Sequence, residues 1–163
     1  MKKLLLLLSI LLVANTFTSC KKEKEEEPEP TKTELLTAHE WKGVDAVGYV
    51  NGVQDGNPID ISDFTMLFGV NHHLFFYNDG DLSDDYAIWT LIEGDPDTIQ
   101  LSEPNNNPQA LYHLNLSQSN KSINDVDYTL LKIEKLTEDK FTFYVEGTNN
   151  AGDPVKIVYH MTK

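Results

Sequence analysis

Apolar and polar residues alternate through most of the chain beyond residue 40, which is the period of a β-strand. Between residues 64 and 70, for example, Phe64, Met66, Phe68 and Val70 fall on one face. Turn residues such as Asn51-Gly52 separate these short segments. We therefore predict nine strands, over residues 41–50, 64–70, 72–77, 86–92, 98–101, 111–116, 128–136, 141–147 and 155–161.

Turns and one helical turn complete the expected architecture. Residues 78–81 and 94–97 are rich in Asn, Asp, Gly and Pro and are predicted turns, and residues 117–125 form a polar loop. Thr31 or Thr33 is expected to cap a short helical turn that carries Glu34 near its start. Many short strands at close spacing indicate an all-β antiparallel sandwich or barrel, and closure into a barrel is favoured because it removes exposed edges.

The first 19 residues are typical of a cleaved signal peptide. Two lysines precede an apolar run, residues 4–13, that is too short to span a bilayer. Phe17-Thr18-Ser19-Cys20 resembles a bacterial lipobox, and Cys20 is the chain's only cysteine. We expect Cys20 to carry diacylglycerol and a further acyl chain such as palmitate, which would anchor the protein stably in a membrane. The alternative is an ordinary secretory signal in which Cys20 occurs by chance.

Residues 20–32 are predicted to form a lipidated, charged tether. Dense mixed charge and two prolines prevent this segment from burying itself, and it extends to at most about 40 Å. The acidic residues between Glu23 and Glu29 resemble the surface-export signal of Bacteroidota lipoproteins. This resemblance implies an outer-membrane lipoprotein that faces the cell surface, whereas the alternative is a plain linker. Residues 33–163 are then expected to form one domain.

The charge balance excludes a class of partners. The domain from Thr33 to Lys163 has 7 lysines and 21 acidic residues, a net charge of −14, and the chain contains no arginine. Nucleic-acid binding requires a basic surface, so it is excluded. A site built on the arginine fork for phosphate is excluded for the same reason.

The order of several short motifs resembles lipocalin-like lipoproteins of Bacteroidota. This resemblance implies a small up-and-down β-barrel of about eight or nine strands on a lipid anchor, and it implies no particular ligand. Ala38 departs from the family pattern, where Gly is usual, and the segment 103–126 is longer than expected. The motifs are Leu35-Leu36-Thr37-Ala38-His39-Glu40-Trp41-Lys42, Phe75-Phe76-Tyr77-Asn78-Asp79-Gly80, Trp89-Thr90-Leu91 with Ile99-Gln100-Leu101, and Tyr128-Thr129-Leu130-Leu131-Lys132-Ile133.

The chain carries no convincing motif for catalysis, a metal or another cofactor. His72 and His73 are neighbours on a predicted strand and would point to opposite faces. Asp79, Asp81, Asp84 and Asp85 are interpreted as an acidic turn, with weak Ca²⁺ binding as the alternative. Asp97-Thr98-Ile99 resembles the O-glycosylation motif of Bacteroidota, a match short enough to arise by chance. We therefore expect no enzymatic activity.

Most aromatic residues at alternating positions are expected to fill the core, Trp89 among them. The alternative hypothesis, which assigns a function, is that some inward-facing residues line a ligand site. The candidates are Ala46, Gly48, Phe64, Phe68 and Trp89. Because large side chains dominate the inward faces, we expect a mostly filled interior, with any pocket lying against Gly43, Ala46 and Gly48 on the first strand. The sequence thus predicts a non-catalytic binding domain for a small apolar ligand. The alternative is an accessory or structural surface protein that engages another protein or a glycan through its outer face or loops.

Overall fold

A computed structural model describes residues 28–102, 125–126 and 130–163, with side chains described for all of these except residues 82–86 and 125–126. One short helix, α1, spans Lys32–Thr37. The strands of these ranges are β1 (Glu40–Val50), β2 (Val53–Gln54), β3 (Ile59–Asp60), β4 (Phe64–Phe68), β5 (His73–Asn78), β6 (Asp81–Ile92), β7 (Asp95–Ser102), β8 (Asp125–Val126), β9 (Leu130–Leu136), β10 (Lys140–Thr148) and β11 (Pro154–Thr162).

Eight of the described strands close into an antiparallel barrel. Following the hydrogen bonds from strand to strand gives the order β1, β4, β5, β6, β7, β9, β10 and β11, and β11 pairs with β1 to complete the ring. Each wall strand therefore lies beside the next wall strand in the sequence, which is an up-and-down topology. The predicted all-β up-and-down barrel with a short N-terminal helical turn is confirmed.

The second half of β1 has different neighbours on its two sides. On one side β1 pairs with β11 as far as Val50, with an irregularity in register between Gly43 and Asp45. On the other side β4 pairs only with the first three residues of β1. Beyond that point Ala46 pairs with Ile59 of β3, and Val50 pairs with Val53 of β2. The connection between β1 and β4 therefore lies along the edge of β1 rather than projecting away from it.

Two of the predicted turns are right and one is wrong. Asn51-Gly52 and Asp79-Gly80 form two-residue connections, and all four residues have positive φ, which these turns require. The turn expected at residues 94–97 is wrong, because Ile92 pairs with Asp95 and the connection is Glu93-Gly94.

The assignment of Val70 to the inner face of β4 is also wrong, because β4 ends at Phe68 and Val70 is 84% exposed. His72 donates its backbone N–H to the carbonyl of Gly69 and closes this turn. Asp125, expected as the last residue of a polar loop, lies instead in β8, which pairs with β10; residues 117–124 of that loop lie outside the described residues. The strand predicted at residues 111–116 lies outside the described residues.

The helix α1 covers one end of the barrel. Thr31 caps it, accepting a hydrogen bond from the Glu34 backbone N–H, while the Glu34 carboxylate accepts from the Thr31 backbone N–H. Leu36 is fully buried, and its carbonyl accepts a hydrogen bond from Trp41 Nε1 at 3.0 Å. We name this the α1 end. The opposite end, where β1 finishes at Val50 and β11 begins, is the loop end.

Aromatic rings fill the barrel from the α1 end to its middle. Trp41 and Phe68 both contact Phe141, at ring-centroid distances of 5.5 and 5.8 Å. Phe141 contacts Phe143 in turn, and Phe143 stacks on Tyr159 at 4.8 Å with the ring planes 7° apart. Tyr159 pairs with Ala46 of β1, so the described aromatic cluster reaches the middle of that strand.

Candidate functional site

Inward-facing residues become small and aliphatic beyond the aromatic cluster. Along β1 towards the loop end, the residues on the inner face after Ala46 are Gly48 and Val50. Their partners on β11 are Ile157 and Val155, both buried. Paired residues in an antiparallel sheet project from the same face, so these four positions share one inner surface.

Two exposed apolar side chains border this surface on its other side. Ile59 pairs with Ala46 and Val53 pairs with Val50, which places both on the inner face of the sheet. Ile59 is 37% exposed and Val53 is 70% exposed. Exposed apolar side chains in a shared patch mark a surface that can bury them against a ligand.

Gly48, in the centre of this surface, has room for a side chain without a clash. A Cβ atom built on Gly48 would come no closer than 3.9 Å to another group, the backbone oxygen of Asp55. The Asp55 N–H donates to the Gly48 carbonyl at 2.9 Å and holds the connection beside the strand. We name the inward-facing positions Ala46, Gly48, Val50, Val53 and Ile59 the β1 hollow, of which Ala46 is fully buried at the inner limit.

Gly43, the third small position expected to open a pocket, is filled instead. A Cβ atom built there would lie 2.0 Å from the Ile61 backbone oxygen and 2.9 Å from Ile61 Cγ1. The chain before β4 passes directly over Gly43, and Ile61 is buried against the core. The expectation of a pocket at Gly43 is therefore wrong, because the absent side chain makes room for backbone.

The five predicted ligand-lining residues do not share one surface. Ala46 and Gly48 belong to the β1 hollow. Phe64 stacks on Phe76 at 6.0 Å on the neighbouring wall. Phe68 contacts Trp89 at 5.4 Å within the aromatic cluster of the α1 half, and Trp89 Nε1 donates to the Gly69 carbonyl at 3.2 Å. Trp89 is 1% exposed, so the prediction that it belongs to the core is confirmed.

Sequence reasoning missed Val53 and Ile59. Each lies on a two-residue strand, too short for an alternating pattern to be recognised. The available signal was the Asn51-Gly52 pair, because a two-residue hairpin turn requires the following residues to pair with β1.

The border of the β1 hollow is acidic. The connection over residues 51–63 contains Asp55, Asp60 and Asp63 and no lysine. The Ser62 backbone N–H donates to the Asp60 carboxylate at 2.9 Å and lowers the pKa of Asp60. Asp60 is therefore ionised at neutral pH, but it pairs with Asp45, so its side chain projects from the face of the sheet opposite to that of Ile59.

Two other candidate sites receive no support. Among the described residues, no group of three His, Cys, Asp or Glu side chains could hold a metal ion; Asp84 and Asp85 of the predicted acidic turn have side chains outside this description. Thr98 is 3% exposed, and its hydroxyl donates to the Asp95 carboxylate at 2.7 Å. The suggestion of glycosylation at Thr98 is therefore wrong for the folded protein, because the hydroxyl is buried and already bonded.

The strand order defines a closed, eight-stranded up-and-down barrel protein, the architecture that lipocalins use. A fold of this kind is suited to binding in its interior or at its mouth. No helix of the described residues is long and apolar enough to cross a membrane.

Comparison with known proteins adds little beyond this class. No family model matches the chain, and no curated protein matches it by sequence. A deswapped triple mutant of bovine odorant binding protein is 13% identical, with a TM-score of 0.39 over 79% of this chain and 74% of that one. A multidomain protein including DUF1735 from Bacteroides ovatus is 13% identical, with a TM-score of 0.34 over 77% of this chain and 55% of that one. At these values neither structure indicates what this chain binds.

Proposed function

We propose that this protein binds a small apolar ligand in the β1 hollow, without catalysis. The observation that carries the proposal is the missing side chain at Gly48, where an added Cβ atom would meet no clash, bordered by the exposed side chains of Val53 and Ile59. Burial of apolar surface contributes about 25 cal/mol per Å², so covering these two side chains and the glycine backbone favours binding.

The size of the ligand is limited by the filled half of the barrel. Aromatic rings occupy the interior as far as Tyr159, one inward-facing position before Gly48. A ligand therefore enters only the last two inward-facing levels of β1, at Gly48 and Val50. We expect modest affinity for compact apolar molecules and no deep insertion of a long acyl chain.

We also propose that the domain is anchored to the outer membrane and faces the cell surface. This part rests on the sequence: the basic start, the apolar run and the lone Cys20 after Phe17-Thr18-Ser19. Changing Cys20→Ala should move the domain from the membrane pellet to the soluble fraction. A variant that still pellets after a high-salt wash would contradict lipid anchoring.

Binding is tested by titrating the purified domain with the neutral fluorescent probe N-phenyl-1-naphthylamine. We expect saturable binding that is weakened at least tenfold by Gly48→Leu, because the added side chain occupies the hollow. Val70→Leu, at an exposed position in the turn of the α1 end, is the matched control and should bind the probe as the native protein does. Equal affinity in the Gly48→Leu variant would place the ligand elsewhere.

A mass spectrum recorded under native conditions on protein from its own host separates this function from its rival. A small molecule retained by the domain supports the binding role. Its absence, together with no probe binding, favours the accessory role in which the outer face or the loops contact another protein or a glycan.

A further inference from the structure

The chain that links the domain to the proposed anchor leaves the barrel at the α1 end. Thr31 is the cap of α1, and residues 28–30 immediately before it are exposed. Lys32 donates to the Pro96 carbonyl at 3.3 Å and forms an ion pair with Asp97, next to the Glu93-Gly94 connection. Together with the buried Leu36, these contacts fix α1 to that end of the barrel.

The β1 hollow lies at the opposite end. Gly48 is eight residues along β1 from Glu40, the first residue of the strand after α1. At about 3.3 Å per residue this is about 26 Å along the strand. With the strand tilt of about 35–45° usual in such barrels, the separation along the barrel axis is about 20 Å.

Charge also distinguishes the two ends. Among the described residues, the loop-end connections 51–63, 79–80 and 149–153 contain Asp55, Asp60, Asp63, Asp79 and Asp153 and no lysine. The α1 end mixes its acidic residues with Lys32, Lys140 and Lys163. Within a Debye length of about 10 Å, an anionic membrane surface therefore repels the loop end more strongly than the α1 end.

We propose that the anchored protein holds its α1 end towards the bilayer and its β1 hollow away from it, so that ligand is taken from the aqueous phase. This inference rests on the lipid anchor at Cys20 described under the proposed function. The ten residues between Cys20 and Thr31 span at most about 36 Å, and their attachment point and the acidic loop end both favour this orientation.

Energy transfer to the membrane surface measures the orientation. The full lipidated protein is placed in vesicles of phosphatidylethanolamine and phosphatidylglycerol that carry a headgroup acceptor dye in the outer leaflet. One donor is attached through Glu138→Cys, between β9 and β10 at the α1 end, and the other through Asn150→Cys, between β10 and β11 at the loop end. Both positions are exposed, and acylation blocks the native thiol. We expect clearly higher transfer from position 138.

Each outcome is decisive. Higher transfer from position 138 supports the orientation. If the protein floats with the vesicles but transfer is equal, or higher from position 150, the proposed orientation is overturned and the lipid anchor is still supported. If the protein does not float with the vesicles, both the lipid anchor and the proposed orientation are contradicted. The same labelled variants carrying Cys20→Ala measure the transfer that arises without an anchor.

Discussion

At the scale of single residues, two glycines on β1 have opposite roles although both face the barrel interior. Gly43 allows the Ile61 backbone to pass within a distance that excludes any Cβ atom, whereas a Cβ atom at Gly48 would meet no clash. Sequence alone grouped them as positions that hollow the barrel. The difference depends on the connection that contains Ile61. This connection is close in sequence to both glycines, but no hydrophobic periodicity predicts its path.

The two glycines provide a matched pair of substitutions. Gly43→Ala should lower the free energy of unfolding by about 1–3 kcal/mol, since the new methyl group forces the backbone near Ile61 to shift. Gly48→Ala should leave it unchanged within about 0.5 kcal/mol, because the methyl group meets no atom closer than 3.9 Å. Urea denaturation measures both values. Equal destabilisation would mean that the space at Gly48 is not available.

Trp89 was predicted correctly as a core residue because it lies at an alternating position between Ala87 and Leu91. Trp89→Ala should cost about 3–5 kcal/mol, because it leaves a cavity beside Phe68 and removes the hydrogen bond to Gly69. Val70→Ala, at an exposed position one residue after Gly69, is the control and should have little effect. An unchanged denaturation midpoint for Trp89→Ala would contradict its place in the core.

At the scale of elements, the sequence predicted the long strands well and the short ones poorly. Strands such as β4 and β10 bury every second residue, so the alternating pattern is visible without the fold. The strands β2, β3 and β8 have only two residues each. They form because β1 or β10 offers an edge with which they can pair. Such tertiary pairing has no local signature, and as a result Val53 and Ile59 of the β1 hollow were missed.

The helix α1 was predicted from its cap, and its stability should depend on pH. Thr31 donates to the Glu34 carboxylate through its backbone N–H and its hydroxyl, which lowers the pKa of Glu34 from its ordinary value of 4.5. Because the folded-state pKa is the lower one, this contribution is present above about pH 4.5 and is lost as the pH falls through the folded value.

Glu34→Gln keeps a hydrogen-bonding side chain in the capping box but does not titrate. The native protein should therefore be the more stable of the two at pH 7, and the difference in melting temperature should shrink towards zero between pH 4.5 and pH 2. Glu93→Gln, in an exposed turn, is treated in parallel to remove the effect of net charge. A difference that stays constant down to pH 2 would exclude the contribution of the cap to acid stability.

At the scale of the whole molecule, the fold class followed from the sequence but the position of the binding surface did not. Closure of the barrel was expected from the need to protect strand edges. The position at which the aromatic cluster gives way to small aliphatic residues on β1 and β11 appears only when strands remote in sequence are brought into register, as where Tyr159 pairs with Ala46. The acidic character of the loop end likewise emerges from several connections that the barrel gathers on one side.

That acidic character should select the charge of the ligand. Asp60 is ionised on the strand that carries Ile59, on the opposite face, and Asp55 and Asp63 lie on the same connection, with no lysine between residues 51 and 63. A charged head group about 8 Å from one carboxylate in a water-like dielectric gains or loses about 0.5 kcal/mol of binding free energy. Two such carboxylates therefore favour a cationic ligand over an anionic one by about 2 kcal/mol.

Octylamine should accordingly displace N-phenyl-1-naphthylamine at a concentration at least tenfold lower than octanoate in low salt. The gap should close in 1 M NaCl, where the Debye length falls to about 3 Å, and in the double variant Asp55→Asn, Asp60→Asn. Octanoate that competes as well as octylamine at low salt would show that the acidic border does not act on the ligand.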